Sequence, residues 1–326
     1  MLSQESINIA VLDDYQGVAL RMTDWSPVTA RAGVVVFRDH LTDVDAIAAR
    51  LEPFDAVCAM RERTPFTRAL IERLPRLRLI ASTGMANASI DLDAARERGI
   101  AVVHTGYTSH GAIELTWALL LAAVRSIPAE VNSVRSGGWQ VAVGGDLSGR
   151  TLGLLGLGRI GSAVARIARA FDMEVIAWSE NLSAEKAAAA GARLVDKDAL
   201  FREADIVSVH LVSSPRTRGI VGRAEFAHMK PTAWFVNTSR GPIADEAALI
   251  AALRAKRIAG AALDVFGTEP LPLDHPFRSL DNVVATPHVG FVTRQTYETF
   301  YRDTVANLVA WLDEQQRAHL TEQAVR

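Results

Sequence analysis

The chain holds a single cysteine, Cys58, in 326 residues. No disulfide can close within it, and a cysteine-built metal site is excluded. Cys58 sits inside the apolar run Phe54–Ala59 and reads as a small core residue. An excess of one charge is also lacking. Lys and Arg number 35 against 37 Asp and Glu, for a net charge of −2. The scattered arginines therefore read as solvated surface, and nothing here marks a nucleic-acid partner. Long hydrophobic runs are missing as well. Ile7–Leu12 follows a polar start, Met1–Ser6, and is too short for a signal-peptide core or a membrane span. Gly111–Ile127 is longer, but Glu114 and Arg125 bound it, so a buried or subunit-interface helix is expected rather than a span. These absences imply no membrane partner and a cytoplasmic protein. There is no internal repeat and no low-complexity tract.

What is present is a globular composition, 49% hydrophobic and 22% charged, on a chain long enough for two domains. Apolar runs alternate with helix-like stretches in two series. Ile7–Leu12, Val34–Phe37, Phe54–Ala59, Leu77–Ala81 and Ile100–Val103 read as strands of the first. Thr151–Leu155, Val175–Trp178, Ile206–His210, Ala233–Val236, Gly260–Leu263 and Val283–Ala285 read as strands of the second. Helical spacing falls between them, in Leu41–Leu51, Thr67–Arg73, Ala184–Ala190 and Asp245–Ala255. Such alternation predicts α/β architecture with two doubly wound parallel sheets. The amphipathic stretch Thr293–Gln315, with Phe300, Val305, Leu308, Val309 and Leu312 at helical spacing, is expected to return to the first unit. The expected domains are residues 1–102 with 292–326, and residues 103–291.

The second series opens on Gly156-Leu157-Gly158-Arg159-Ile160-Gly161, between a strand and a helix and followed by a second strand. In that setting G-x-G-x-x-G reads as a dinucleotide-binding turn. The first glycine makes the bend, the second admits the pyrophosphate and the third lets helix pack on strand. The phosphates then meet open N–H groups at a positive helix end. Gly144–Thr151 mimics a phosphate-binding P-loop, but arginine replaces its lysine and a strand follows it, so it reads as a turn.

Three later strands each run into a turn that bears an ionisable group. Arg240 lies in Asn237-Thr238-Ser239-Arg240-Gly241, Glu269 in Asp264-Val265-Phe266-Gly267-Thr268-Glu269-Pro270, and His288 in Thr286-Pro287-His288. Ligands of doubly wound sheets bind beyond the carboxyl ends of the strands. The three groups together suit reduction of a ketone: a histidine supplies the proton, a carboxylate orients its ring, and an arginine holds a carboxylate and polarises a carbonyl. Asp264 could accept a hydrogen bond from a nicotinamide carboxamide.

On these residues the chain resembles the D-isomer-specific 2-hydroxyacid dehydrogenase family. Ser82-Thr83-Gly84, Ile90-Asp91, Ala112-Ile113-Glu114 and Trp139 carry the likeness further, over nearly the whole length. The resemblance implies a Rossmann coenzyme domain inserted in a flavodoxin-like substrate domain, and a homodimer. It implies His288 as acid/base, Glu269 as its partner and Arg240 as the substrate clamp. It assigns the main-chain amides of Met85 and Ala86 to the substrate carboxylate, Arg159 and Ile160 to the pyrophosphate, and Thr238 and Asp264 to the cofactor. The position that usually holds a ribose-binding aspartate reads Ser179, with Glu180 next. This departure leaves NADP open, but no cation follows closely before Lys186, and NAD is expected. Met85 stands where many members carry glycine and would narrow or grease the pocket. Arg61 or Arg63 could bind a second anionic group. A small-molecule-sensing regulatory domain is expected to be absent. The expected activity is interconversion of a 2-oxo acid, such as glyoxylate or hydroxypyruvate, and a D-2-hydroxy acid. The alternative is a non-catalytic, dinucleotide-sensing corepressor. A formate dehydrogenase is disfavoured because Glu269 stands where that relative uses an amide.

Overall fold

A computed structural model describes residues 6–324. Two compact units emerge, Met1–Thr108 with Val292–Arg326, and Ser109–Phe291. In the first unit five strands, β1 (Ile7–Val11), β2 (Ala32–Val36), β3 (Ala56–Ala59), β4 (Leu79–Ser82) and β5 (Ala101–His104), form one parallel sheet in the order β2-β1-β3-β4-β5. That order is the flavodoxin one. The unit runs past residue 102 because β5 continues to His104, which pairs with Ser82.

The second unit carries seven parallel strands: β6 (Thr151–Leu155), β7 (Glu174–Trp178), β8 (Arg193–Leu194), β9 (Ile206–Val209), β10 (Trp234–Asn237), β11 (Gly260–Leu263) and β12 (Val283–Ala285). Their order is β12-β11-β10-β9-β6-β7-β8, with the reversal between β6 and β9. This is the Rossmann arrangement with a seventh strand, and the reversal point is where such sheets bind ligands. The two-residue β8 has no counterpart among the expected strands, since an edge strand that short leaves no apolar run to read.

The elements form for ordinary reasons. The four central strands of the second sheet are apolar on both faces, as a sheet covered by helices on two sides requires. One face packs Phe201, Phe226, Phe235, Leu249 and Phe277; the other packs Leu152, Val164, Ala168, Val236 and the apolar helix residues Leu119 and Leu120. Each such large side chain contributes about 1.5–3 kcal/mol on burial. Six helices open on Asp43, Thr67, Asp91, Ser183, Asp196 or Asp245, whose side chains accept the backbone N–H three residues on.

The expected helix Gly111–Ile127 is two helices. The first, His110–Val124, is buried at nine of its fifteen positions, and Ser126 at φ 54° breaks it before a second, Ile127–Arg135. A left-handed serine cannot continue a helix, and Pro128 sits in the first turn of the next one, where proline is tolerated. Among the described residues no single helix is long and apolar enough to cross a membrane.

Candidate active site

The fingerprint folds as its glycines require. Gly156 takes φ 96° while its N–H donates to Trp178 O at 2.8 Å, so β6 bends sharply beside β7. A Cβ on Gly156 would meet the His210 carbonyl oxygen at 2.6 Å, and one on Gly161 would run into the Gly156 carbonyl. Only glycine allows that approach of helix to strand. Gly158 opens the helix Arg159–Ala170 with no side-chain cap, and a Cβ there would meet nothing within 4 Å. The result is a clear space in front of the open first-turn amides, which fits a pyrophosphate. Ser179 and the exposed Glu180 follow directly on β7. The mimic of a phosphate-binding P-loop, Gly144–Thr151, leads into β6 and has no helix behind it.

Along the same carboxyl edge of the sheet, adjacent strands β10, β11 and β12 deliver the three expected groups in order. After β10, the Asn237 carboxamide binds both Ser239 N–H and the Arg240 carbonyl, at 3.0 Å each, and so shapes the turn. Ser239 Oγ donates to Val209 O at 2.7 Å, anchoring that turn to β9. The Arg240 Nη1 donates to Ser239 O at 2.8 Å. Gly241, the next residue, lies against the Phe266 carbonyl so closely that any Cβ would collide with it. The Arg240 turn and the turn leading to Glu269 therefore touch.

Glu269 uses its two oxygens separately. Oε1 accepts the Phe266 N–H at 2.9 Å, and Oε2 meets His288 Nδ1 at 2.6 Å. An ionised carboxylate only accepts, so Nδ1 carries a proton and Nε2 is the nitrogen left for chemistry. The two side chains are 23% and 33% exposed for His288 and Glu269, which leaves the pair reachable. Phe291 packs edge-on to the imidazole at 5.5 Å.

His288 itself is held at φ 54°, an unfavourable value for a non-glycine residue. The loop that imposes it is braced by Asp264, which is 1% exposed. Its carboxylate accepts from Thr286 Oγ1 at 2.6 Å, Val289 N–H at 2.8 Å and Gly290 N–H at 2.9 Å. Burial pushes the Asp264 carboxyl above the usual carboxylate range, while these hydrogen bonds and the His288 charge pull the other way. Its oxygens are thus engaged inside the fold. Thr238 finds an unexpected partner in Thr116, hydroxyl to hydroxyl at 2.7 Å, from the buried helix His110–Val124. A lone hydroxyl in an apolar run was the only sequence signal for it.

In the first unit, the loop Gly84–Ser89 leaves β4. Asn87 ties it down, its carboxamide donating to Arg61 O at 2.6 Å and Ser82 Oγ at 3.0 Å and accepting from Ser89. Among the described residues no acceptor meets the N–H groups of Met85 and Ala86. The Met85 side chain is 65% exposed. Arg61 turns back over this loop at φ 52°. Its guanidinium reaches Thr83 O at 3.4 Å, covers the Tyr107 ring at 5.4 Å and lies 3.6 Å from Glu62. Arg63 donates to Asp13 O and stacks over Tyr15, so it serves the unit's own structure.

A doubly wound dinucleotide unit with a histidine–carboxylate pair at its strand ends defines a nicotinamide-dependent dehydrogenase. The family model for the D-isomer specific 2-hydroxyacid dehydrogenase NAD binding domain matches residues 117–290. The chain is 41% identical over 252 residues to a glyoxylate reductase of Aeropyrum pernix, covering 74% of this chain and 75% of that one. It is 42% identical over 243 residues to a D-3-phosphoglycerate dehydrogenase of Methanocaldococcus jannaschii, covering 73% of this chain but 46% of that one. A solved phosphoglycerate oxidoreductase of Vibrio cholerae superposes with TM-score 0.90 at 37% identity, over 94% of this chain and 99% of the other. The chain belongs to the D-isomer specific 2-hydroxyacid dehydrogenase family, whose enzymes are NAD-dependent oxidoreductases.

Proposed function

We propose that the protein reduces a 2-oxo acid with a small, uncharged side chain, of which glyoxylate is the simplest, to the D-2-hydroxy acid. The observation that carries this reading is the 2.6 Å contact of His288 Nδ1 with Glu269 at the ends of the strands next to Arg240. When bound, NADH supplies the hydride. Arg159 and Ile160 would hold its pyrophosphate at the glycine turn, with Ser179 and Glu180 at the ribose and Thr238 at the nicotinamide end. Asp264 would act there through the loop it braces. His288, charged and steered by Glu269, would hold a proton at Nε2 and pass it to the carbonyl oxygen as that oxygen gains electrons. Arg240 would polarise the same carbonyl and grip the carboxylate, and the open amides of Met85 and Ala86 would receive that carboxylate.

Arg61 is proposed to line the substrate pocket with its charge already matched by Glu62 at 3.6 Å. That arrangement favours a side chain without charge over a phosphorylated one. A homodimer is proposed through the arm formed by the helix Ile127–Arg135 and the strand-less segment after it. Glu130 accepts the N–H of Ala142 at 2.8 Å, and Ser133 donates to Trp139 O at 2.7 Å. These bonds hold the arm folded while Val134, Trp139, Val141 and Val143 stand exposed, Val143 completely. Apolar surface so displayed is a common mark of subunit contact. A cytoplasmic location is proposed from the one buried, unpaired Cys58.

The test is loss of NADH absorbance with glyoxylate, hydroxypyruvate and 3-phosphohydroxypyruvate, in the wild type and in His288→Ala. Turnover should favour the uncharged substrates, and the variant should lose about 10²–10⁴ in kcat while still binding NADH. No turnover on any of the three, or a variant of undiminished rate, refutes the reading.

A further inference from the structure

We propose that Glu246 and His275 clamp the turn that carries Glu269, and so act as positioning residues for the His288–Glu269 pair. The inference rests on the dehydrogenase reading above and assigns a role to two residues outside the pair. Glu246 begins the helix Glu246–Arg254 on the far side of that turn. Its two carboxylate oxygens hold both ends of one loop. Oε2 accepts the Gly267 N–H at 2.9 Å, where the loop leaves β11, and Oε1 meets His275 Nε2 at 3.1 Å, where the loop ends.

The tautomer of His275 follows from its neighbours. Nδ1 accepts the Phe277 N–H at 3.2 Å, so the ring proton is on Nε2 and points at Glu246. The His275 side chain is only 12% exposed, and Phe277 packs on it at 4.8 Å while also touching Phe266 at 6.2 Å. The loop is thus closed by an aromatic contact and pinned at both ends by one carboxylate.

What this does for the reaction lies in two successive amides. Phe266 N–H holds Glu269 Oε1, and Gly267 N–H, the next along, holds Glu246 Oε2. The chain direction at 266–267 decides where Glu269 Oε2 lands, and that oxygen has to meet His288 Nδ1 at 2.6 Å. Freed from Glu246, the Gly267 peptide can rotate, and Glu269 loses the fixed base from which it reaches the imidazole. In this scheme Glu246 acts on the reaction through Glu269.

A double-mutant cycle tests this. NADH oxidation with glyoxylate is measured for wild type, Glu246→Ala, Glu269→Gln and the double variant, with NADH affinity taken from fluorescence titration. Glu246→Ala should lower kcat about tenfold in the wild-type background and less than about twofold in the Glu269→Gln background, since residues acting as a unit do not add. NADH affinity should stay within about twofold. A role confined to stability would cost the same factor in both backgrounds; that result, or no loss in either, overturns the clamp. Should Glu246→Ala not fold, His275→Ala, which keeps the Gly267 bond, replaces it in the same cycle and is judged by the same comparison, with about threefold expected against none. A Glu269→Gln enzyme as fast as wild type would instead refute the catalytic pair itself, a failure distinct from full additivity between two damaging substitutions.

Discussion

His210 makes the sharpest stability prediction. It follows β9 directly, its N–H donates to Leu155 O at 2.7 Å, and its carbonyl lies under Gly156 at the base of the nucleotide turn. Its ring meets Ser208 Oγ at 2.9 Å in a half-buried setting. Burial pulls its pKa from 6.5 down to about 4. The folded chain therefore refuses a proton that the unfolded chain takes up readily. Below pH 6.5 the unfolded state binds more protons, so this contribution is complete above that pH and is lost as the pH falls toward 4. At about 1.4 kcal/mol per unit the whole effect is about 3 kcal/mol, of which about 2 kcal/mol disappears between pH 7 and pH 5. The assay is urea unfolding at those two pH values, followed by tryptophan fluorescence, for wild type and His210→Gln. Carboxylates titrate alike in both proteins and cancel in the difference. The stability advantage of wild type over the variant should shrink by about 2 kcal/mol on acidification. A difference constant to within about 0.5 kcal/mol would show that His210 is not held neutral by the fold.

The two later glycines of the fingerprint should separate binding from folding. Gly158→Ala adds a methyl where the fold has room, so its melting temperature should hold while NADH affinity falls at least about tenfold. Gly161→Ala drives a methyl into the Gly156 carbonyl and should lose both affinity and about 1–3 kcal/mol of stability. Equal behaviour of the two variants in calorimetry and titration would count against the cradle. For the arm, light scattering should give a dimer mass for wild type and a monomer mass for Val141→Asp/Val143→Asp with unchanged circular dichroism; a monomeric wild type would dispose of the proposed interface.

Why some of this could be read from the residues and some could not is a matter of range. Strands such as Val175–Trp178 and Ile206–His210 declare themselves because a sheet covered on both faces demands continuous apolar runs, and the glycine turn declares itself because its spacing meets a local steric need. Arg240, Glu269 and His288 were readable for a third reason: each leaves the C-terminal end of a strand, and parallel pairing brings such ends together without any knowledge of side-chain packing. Beyond that the signals fail. Ser126 breaks a helix through one left-handed residue in an apolar context, where periodicity says continue. Asp264 invites a ligand-facing reading because it stands beside the reactive loop, yet three donors from residues 286–290 turn its carboxylate inward. Arg61 invites an anion-binding one, yet its immediate neighbour Glu62 sits 3.6 Å away once a φ of 52° folds the chain back. In each case the deciding fact is a backbone angle or a contact across twenty or more residues, and neither leaves a mark on local composition. The three ionisable groups are thus legible because they follow the ends of regular strands, and the groups proposed to aim them are hidden because the aiming is done by irregular turns.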